Sequence, residues 1–169
     1  LTAYKVRPAS DEPPGKWETG TQSFESLSGI TAAVEYLAAI GGEEGNRRSR
    51  LVKGMAAIKE YEATLSERFL RAAATIPGLK VYGITDIEAL DQRTPTFAIR
   101  LEGISPEETA SRLGERGIFV WDGHYYAVAV MERLGVLESG GLVRIGFTHY
   151  NTFEELDRLI ETLREIATI

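Results

Sequence analysis

A regular alternation of short strands and capped helices fills the second half of the chain and limits the fold more than any other feature. Residues 96–101 alternate apolar and polar side chains, as in a half-buried strand. The segment Ser105-Pro106-Glu107-Glu108 has the cap, the proline and the acidic residues of a helix start. The same criteria predict strands at 79–82, 118–121 and 142–148, and helices at 128–134 and from residue 152 onward. This order predicts an α+β domain in which helices cover one face of a small, mostly antiparallel sheet.

Two long helical patterns precede this domain. Apolar residues recur at helical spacing over residues 24–40, which end at two glycines, and again over about 50–76, which end at Pro77 and Gly78. The second helix would extend roughly 40 Å at about 1.5 Å per residue. Residues 1–20 are polar and rich in proline, so we predict an extended loop there. We expect both helices to present apolar stripes to a missing domain or a partner subunit.

Composition sets the broad class of the protein. The chain has 169 residues, of which 43% are hydrophobic, and a net charge of −6, as in an ordinary globular protein. A mildly acidic chain argues against nucleic-acid binding, and the basic run at 47–50 is interpreted as a solvated helix start. There is no apolar run of 18 residues and no signal-peptide pattern, so we predict a cytoplasmic location without membrane association. Because the chain begins at Leu1, a fragment of a longer protein is also expected.

The chain contains no cysteine. Disulfides, cysteine-ligated metals and a thiol nucleophile of this chain are therefore excluded. The two histidines, His124 and His149, lie far apart in the sequence, and each is better interpreted as a structural residue than as a metal ligand. We predict no metal site.

Arg144 is the first candidate for binding chemistry. In a strand at 142–148, Arg144 and Gly146 share the face opposite to Val143 and Ile145. A single arginine on such a strand, beside a glycine that leaves room, suits bidentate capture of a carboxylate. The alternative is an arginine held in a structural ion pair.

A second candidate precedes the first long helix. Gly20-Thr21-Gln22-Ser23 places backbone N–H groups and hydroxyls at a helix N-terminus, where phosphate commonly binds. The alternative is an ordinary helix cap formed by Thr21 or Ser23.

Three segments, taken together, resemble the class V aminotransferases, the pyridoxal-phosphate enzymes that include the cysteine desulfurases. Residues 16–22 resemble the family segment (F/W)E(A/T)GT, and residues 117–136 resemble its GI-V…GHHCA…M-R-GV stretch. Residues 143–157 resemble the ending (V/C)RASL…YNT-EE(V/I)D, which is the most specific of the three. The order and spacing agree over essentially the whole chain.

The resemblance implies roles for particular residues. Gly20 and Thr21 would bind the phosphate of pyridoxal phosphate, with Thr21 facing the cofactor of the neighbouring subunit in a homodimer. Arg144 would bind the carboxylate of an amino-acid substrate, and His124 and Asn151 would lie near it. Residues 1–49 would end the large cofactor-binding domain, and residues 50–169 would form the C-terminal small domain of the pyridoxal-phosphate-dependent transferase fold, with its long connecting helix.

Two departures from the family pattern limit the expected activity. Tyr126 replaces the desulfurase cysteine and Tyr125 the second histidine, so thiol-based desulfuration is not expected. The lysine that holds the cofactor is expected upstream of Leu1, because no lysine here has its Ser/Thr-x-His-Lys context. The parent would be an enzyme catalysing transamination, elimination or epimerisation, and this chain alone would be inactive. The alternative is a non-catalytic binding or assembly module that retains the fold.

Overall fold

A computed structural model describes residues 1–168 of the chain. Two compact units divide within one long helix, between Met55 and Ala56. The first unit contains a 3₁₀ turn at Gly15–Trp17 and helix α1, and the second contains the sheet. In chain order the helices and strands are α1 (Phe24–Ile40), α2 (Arg47–Ala73), β1 (Leu79–Tyr82), β2 (Thr96–Leu101), α3 (Pro106–Glu115), β3 (Trp121–Gly123), α4 (Val128–Leu134), β4 (Leu142–Gly146) and α5 (Phe153–Ala167), with a further 3₁₀ segment at Ile87–Gln92.

The sheet confirms the predicted α+β architecture. Its four strands lie in the order β1-β2-β4-β3, and all neighbours are antiparallel. Strand β4 ends at Gly146 rather than at residue 148. The Phe147 N–H still donates to the Pro95 carbonyl at 2.9 Å, but proline has no N–H to return and the ladder stops there.

Strand β3 starts three residues later than predicted. The Ile118 N–H donates to the Leu113 carbonyl at 2.9 Å, which closes the end of α3 over Gly117 at positive φ. Ile118 and Val120 pack against the core instead of pairing with a strand. The apolar segment therefore serves the end of a helix, and only Trp121–Gly123 reaches the edge of β4.

One face of the sheet carries the main core of the second unit. The rings of Phe69, Phe97 and Phe147 contact one another, with centroids 4.3 to 5.9 Å apart. Apolar residues of α2, α3 and α5 surround them, including Leu65, Leu113, Leu156, Leu159 and Leu163. Each such side chain contributes about 1.5–3 kcal/mol when fully buried.

The helix starts follow local capping. Ser105 accepts the Glu108 N–H at 3.1 Å, and Thr152 with Glu155 forms a complete capping box, as predicted for α3 and α5. Helix α2 begins at Arg47, three residues before the predicted start, because Asn46 Oδ1 accepts the Ser49 N–H at 2.9 Å.

The other face of the sheet is partly open. The strand register places Tyr82, Ala98, Arg144 and Trp121 in one row that crosses all four strands. Helix α4 and its flanking loops cover part of this face through a small apolar cluster of Met131, Val136 and Leu142, against which Tyr82, Ala98, Tyr125 and Leu137 pack.

The first unit contains a close helix contact and much exposed apolar surface. A Cβ on Gly54 would lie 2.3 Å from the Leu37 carbonyl oxygen, so glycine lets α1 and α2 approach at this point. The predicted apolar stripe of α1 is exposed, with Phe24 and Ile30 each more than 60% accessible. In α2 the prediction holds only up to Met55, because the apolar residues from Ile58 onward are mainly buried in the core of the second unit.

Within residues 1–168, no helix has both the length and the apolar composition that a membrane span requires.

Candidate functional site

Arg144 lies on the open face of the sheet, in the middle of β4. Its neighbours Val143 and Ile145 are buried in the core on the opposite face, which forces Arg144 outward, as the alternation predicted. Among residues 1–168, no hydrogen-bond acceptor or carboxylate is bound by its guanidinium, so the structural ion pair considered from sequence is not formed there. A guanidinium with five N–H donors is therefore available to a carboxylate.

The surroundings of Arg144 combine space with an aromatic wall. Trp121 is its cross-strand partner on β3, and its side chain is 68% exposed. Ala98 faces Arg144 from β2, and a Cβ on Gly146 would come no closer than 3.9 Å to any neighbouring atom. The small residues leave room for a ligand beside the guanidinium, in the same row of the sheet as Trp121.

Tyr125 also belongs to this face, although the sequence analysis noted it only as the residue that replaces the second histidine of the family pattern. Its ring packs against the α4 cluster, and its hydroxyl oxygen is buried without a hydrogen-bond partner in residues 1–168. Burial raises the pKa of the Tyr125 phenol, the negative charge of Asp122 raises it further, and the positive charge of Arg144 lowers it in part. The phenol is therefore neutral and lies within electrostatic range of Arg144.

His124 holds the loop that carries Tyr125. Its Nδ1 accepts the Tyr126 N–H at 3.1 Å, and its carbonyl accepts the Ala127 N–H at 2.7 Å. The ring is exposed and contacts that of Tyr126 edge-on, so His124 shapes this loop; its role near a substrate stays a prediction.

Asn151 organises the connection from β4 to α5. Its Oδ1 accepts the Thr148 N–H at 2.9 Å, and its Nδ2 donates to Glu155 at 3.0 Å. Its carbonyl accepts the hydroxyl of Tyr61 at 2.7 Å. These bonds give Asn151 a structural role, and its predicted contact with a substrate stays a prediction.

Gly20 and Thr21 lie in the first unit, just before α1. Thr21 is exposed, and its hydroxyl has no hydrogen-bond partner in the described part of the chain. Ser23 occupies the cap position of α1 but makes no bond to the helix backbone, since its Oγ lies 2.8 Å from that of Ser26. The side-chain cap considered from sequence is therefore not formed, and the first N–H groups of α1 are open to an anion.

Each unit thus presents polar groups that suit an anion. A hydroxyl and uncapped N–H groups suit a phosphate, and an unpaired guanidinium suits a carboxylate. Of the lysines, Lys5 is paired with Asp11 at 2.6 Å, and Lys16 and Lys80 lie over Trp17 and Tyr82, respectively.

Comparison with known proteins identifies the family. The family model described as Aminotransferase class-V matches residues 4–159. A cysteine desulfurase of Synechococcus elongatus is 33% identical over 92% of this chain and 21% of its own length. A probable cysteine desulfurase of Methanothermobacter thermautotrophicus is 32% identical over 91% of this chain and 34% of its own.

Solved structures show the same fold. The apo structure of a cysteine desulfurase from Thermococcus onnurineus superposes with a TM-score of 0.75 at 25% identity, covering 93% of this chain and 34% of that one. The Escherichia coli cysteine desulfurase CsdA superposes with a TM-score of 0.69 at 24% identity, covering 92% of this chain and 33% of that one. The chain thus spans about a fifth to a third of the length of these proteins.

Proposed function

The chain belongs to the class V aminotransferase family, and from that premise we propose that it forms the C-terminal part of a pyridoxal-phosphate enzyme that acts on an amino acid. One observation carries the proposal: Arg144, in the segment with the most specific family resemblance, presents an unpaired guanidinium on the open face of the sheet. Residues 1–49 end the large domain in this proposal, and residues 50–169 form the small domain with its connecting helix.

Arg144 binds and orients the substrate. Two parallel N–H groups of its guanidinium donate to the carboxylate, which fixes the direction of the bonds at the α-carbon. Pyridoxal phosphate, when bound, supplies the electron sink for the reacting amino acid.

Thr21 binds the phosphate of the cofactor. Its hydroxyl and the first N–H groups of α1 donate to the phosphate oxygens, and the helix dipole favours the negative charge. In a homodimer, Thr21 serves the cofactor held by the neighbouring subunit, while Arg144 binds the carboxylate of the substrate.

The absence of cysteine decides against one reaction. A persulfide on a thiol of this chain is not available, so we propose transamination, elimination or epimerisation in place of thiol-based desulfuration. The same carboxylate-binding step serves all three.

Substitution of Arg144 in the complete polypeptide tests the proposal. Arg144→Ala is expected to lower kcat/KM. The corresponding loss of transition-state stabilisation should be about 2–4 kcal/mol, the usual cost of removing one partner of a desolvated charge pair. Arg144→Lys should recover part of the loss, because lysine keeps the positive charge but cannot donate two parallel N–H bonds to the carboxylate. Arg112→Ala is the matched control, since Arg112 is bound to Glu108 on its own helix at 2.7 Å. Unchanged kinetics in Arg144→Ala would remove Arg144 from the site.

A spectrum separates this enzyme from a non-catalytic module. The complete polypeptide with pyridoxal phosphate should absorb near the visible edge, and amino acids should shift that band. A complete polypeptide that folds and dimerises without any such band would favour a binding or assembly role.

A further inference from the structure

The hydroxyl of Tyr125 is an unusual buried group. Its oxygen is inaccessible to solvent and lacks a hydrogen-bond partner in residues 1–168, whereas its ring is held by Met131, Val136 and Leu142. Buried polar atoms are nearly always satisfied, and one that is not costs free energy. A packed ring fixes this oxygen in place, so a partner has to come to it.

The backbone under Tyr125 is also strained. Tyr125 and Tyr126 have φ values of 52° and 60°, in the left-handed region that bulky residues rarely adopt. The bonds of Tyr126 and Ala127 to His124 hold this conformation. Strain of this kind persists where the surrounding structure enforces it, and it is frequent at functional sites.

Two charged groups lie within electrostatic range of the hydroxyl, Asp122 and Arg144, and of these Arg144 is the one that carries N–H donors. Leu142, in the cluster that holds the Tyr125 ring, lies two residues before Arg144 on the same strand. Arg144 is exposed and therefore free to change rotamer, while Tyr125 is fixed. The guanidinium has five N–H donors, of which a bidentate carboxylate uses two.

We propose that Tyr125 is a positioning residue for carboxylate recognition. When a carboxylate binds, one of the remaining N–H groups of Arg144 donates to the Tyr125 hydroxyl oxygen. This bond fixes the orientation of the guanidinium plane relative to the ligand. The ligand class is an amino acid with a free α-carboxylate. This inference rests on the proposed function of Arg144 and adds the residue that orients it.

Carboxylate titration of the complete, cofactor-loaded polypeptide tests the proposal. The probe is propionate, which has the carboxylate but no amino group to react, and propionamide is the uncharged control ligand. Tyrosine labelled with ¹³C at Cζ reports the hydrogen bonding of each phenol, and the signal missing from Tyr125→Phe identifies Tyr125. We expect propionate, but not propionamide, to shift that signal saturably.

Three variants distinguish the possible outcomes. Tyr125→Phe should bind propionate about 10-fold more weakly, the effect of one hydrogen bond to a charged group. Tyr126→Phe is the matched control, because Tyr126 shares the loop and the positive φ but is 97% exposed, and its affinity should change less than about twofold. Arg144→Gln should abolish saturable binding.

Two results would overturn the proposal in different ways. If Tyr125→Phe binds propionate as tightly as the unsubstituted protein while Arg144→Gln does not bind, Tyr125 has no positioning role and the function of Arg144 stands. If Arg144→Gln binds propionate normally, both the positioning role and the proposed function fail.

Discussion

Arg144 and Tyr125 carry polar groups that the described residues leave without hydrogen-bond partners, and the sequence revealed only one of them. Arg144 was predicted because alternation in a short strand places it opposite Val143 and Ile145, a purely local relation. The importance of Tyr125 was missed because it depends on a left-handed backbone and on packing against Leu142, seventeen residues away. The sequence signal was two consecutive tyrosines after Gly123-His124.

At this scale, the buried hydroxyl predicts an unusual stability effect. Tyr125→Phe removes an unsatisfied buried group without changing the shape of the ring, so the unliganded protein should gain up to about 1 kcal/mol in its free energy of unfolding. Tyr61→Phe is the matched comparison, because the Tyr61 hydroxyl donates to the Asn151 carbonyl at 2.7 Å, and its loss should cost about 1 kcal/mol. Urea denaturation measures both changes. Equal losses in the two variants would mean that the Tyr125 hydroxyl has a partner in solution.

At the scale of helices and strands, local sequence predicted the elements that have local causes. The starts of α3 and α5 follow from capping residues, and β2 follows from strict alternation. The predicted start of β3 was wrong. Ile118 and Val120 have the apolar side chains of strand residues, but they pack against the core where the chain leaves α3. Which apolar segment pairs with β4 is decided by tertiary contacts that periodicity does not contain.

The capping box of α5 makes part of the stability depend on pH. The hydrogen bonds from Asn151 and from the Thr152 N–H lower the pKa of Glu155 below its ordinary value of 4.5. A lowered folded-state pKa means that this stabilisation is present above the ordinary value and is lost as pH falls through the folded value. Glu155→Gln should therefore flatten the acid side of the stability profile measured by thermal unfolding from pH 7 to 3. Glu154→Gln, which removes a neighbouring carboxylate from the same turn, should retain the slope.

The contact between α1 and α2 predicts that glycine-to-alanine substitutions at two positions have opposite effects on stability. Alanine at a helical glycine normally stabilises by about 0.5–1 kcal/mol, and Gly29→Ala in α1 should do so, because no atom lies within 4 Å of the new Cβ. Gly54→Ala should instead destabilise by about 1–3 kcal/mol, since its Cβ would overlap the Leu37 carbonyl. Hydrogen exchange of the α1 amides measures both effects within the first unit. A gain in protection for Gly54→Ala would contradict the close approach.

At the scale of the whole molecule, the family was predictable because three motifs occur in the correct order. The chain spans about a fifth to a third of the length of its relatives, and α1 exposes Phe24, Leu27 and Ile30. Such a surface in a family of this kind is suited to contact with another domain or subunit. The sequence could not indicate what contacts these surfaces, because helical periodicity identifies an apolar stripe and not its partner.

The same reasoning predicts the behaviour of the chain on its own. No lysine in residues 1–168 lies in the family context for covalent cofactor binding, so the isolated chain mixed with pyridoxal phosphate should show no cofactor absorbance after gel filtration. The complete polypeptide should retain it. Stoichiometric retention by the isolated chain, carried by one of its five lysines, would contradict the assignment of the lysine to a segment outside it.

The central proposal is that Arg144 of one subunit and Thr21 of the neighbouring subunit bind the two anionic ends of one molecule. A crystal structure of the complete protein with N-(5′-phosphopyridoxyl)-L-alanine, a stable conjugate of cofactor and amino acid, tests it most directly. We predict the alanine carboxylate at about 2.7–3.0 Å from two guanidinium nitrogens of Arg144, and the phosphate at hydrogen-bonding distance from Thr21 of the neighbouring subunit. A conjugate bound with its carboxylate on another cation, and with Arg144 still facing solvent, would contradict the account.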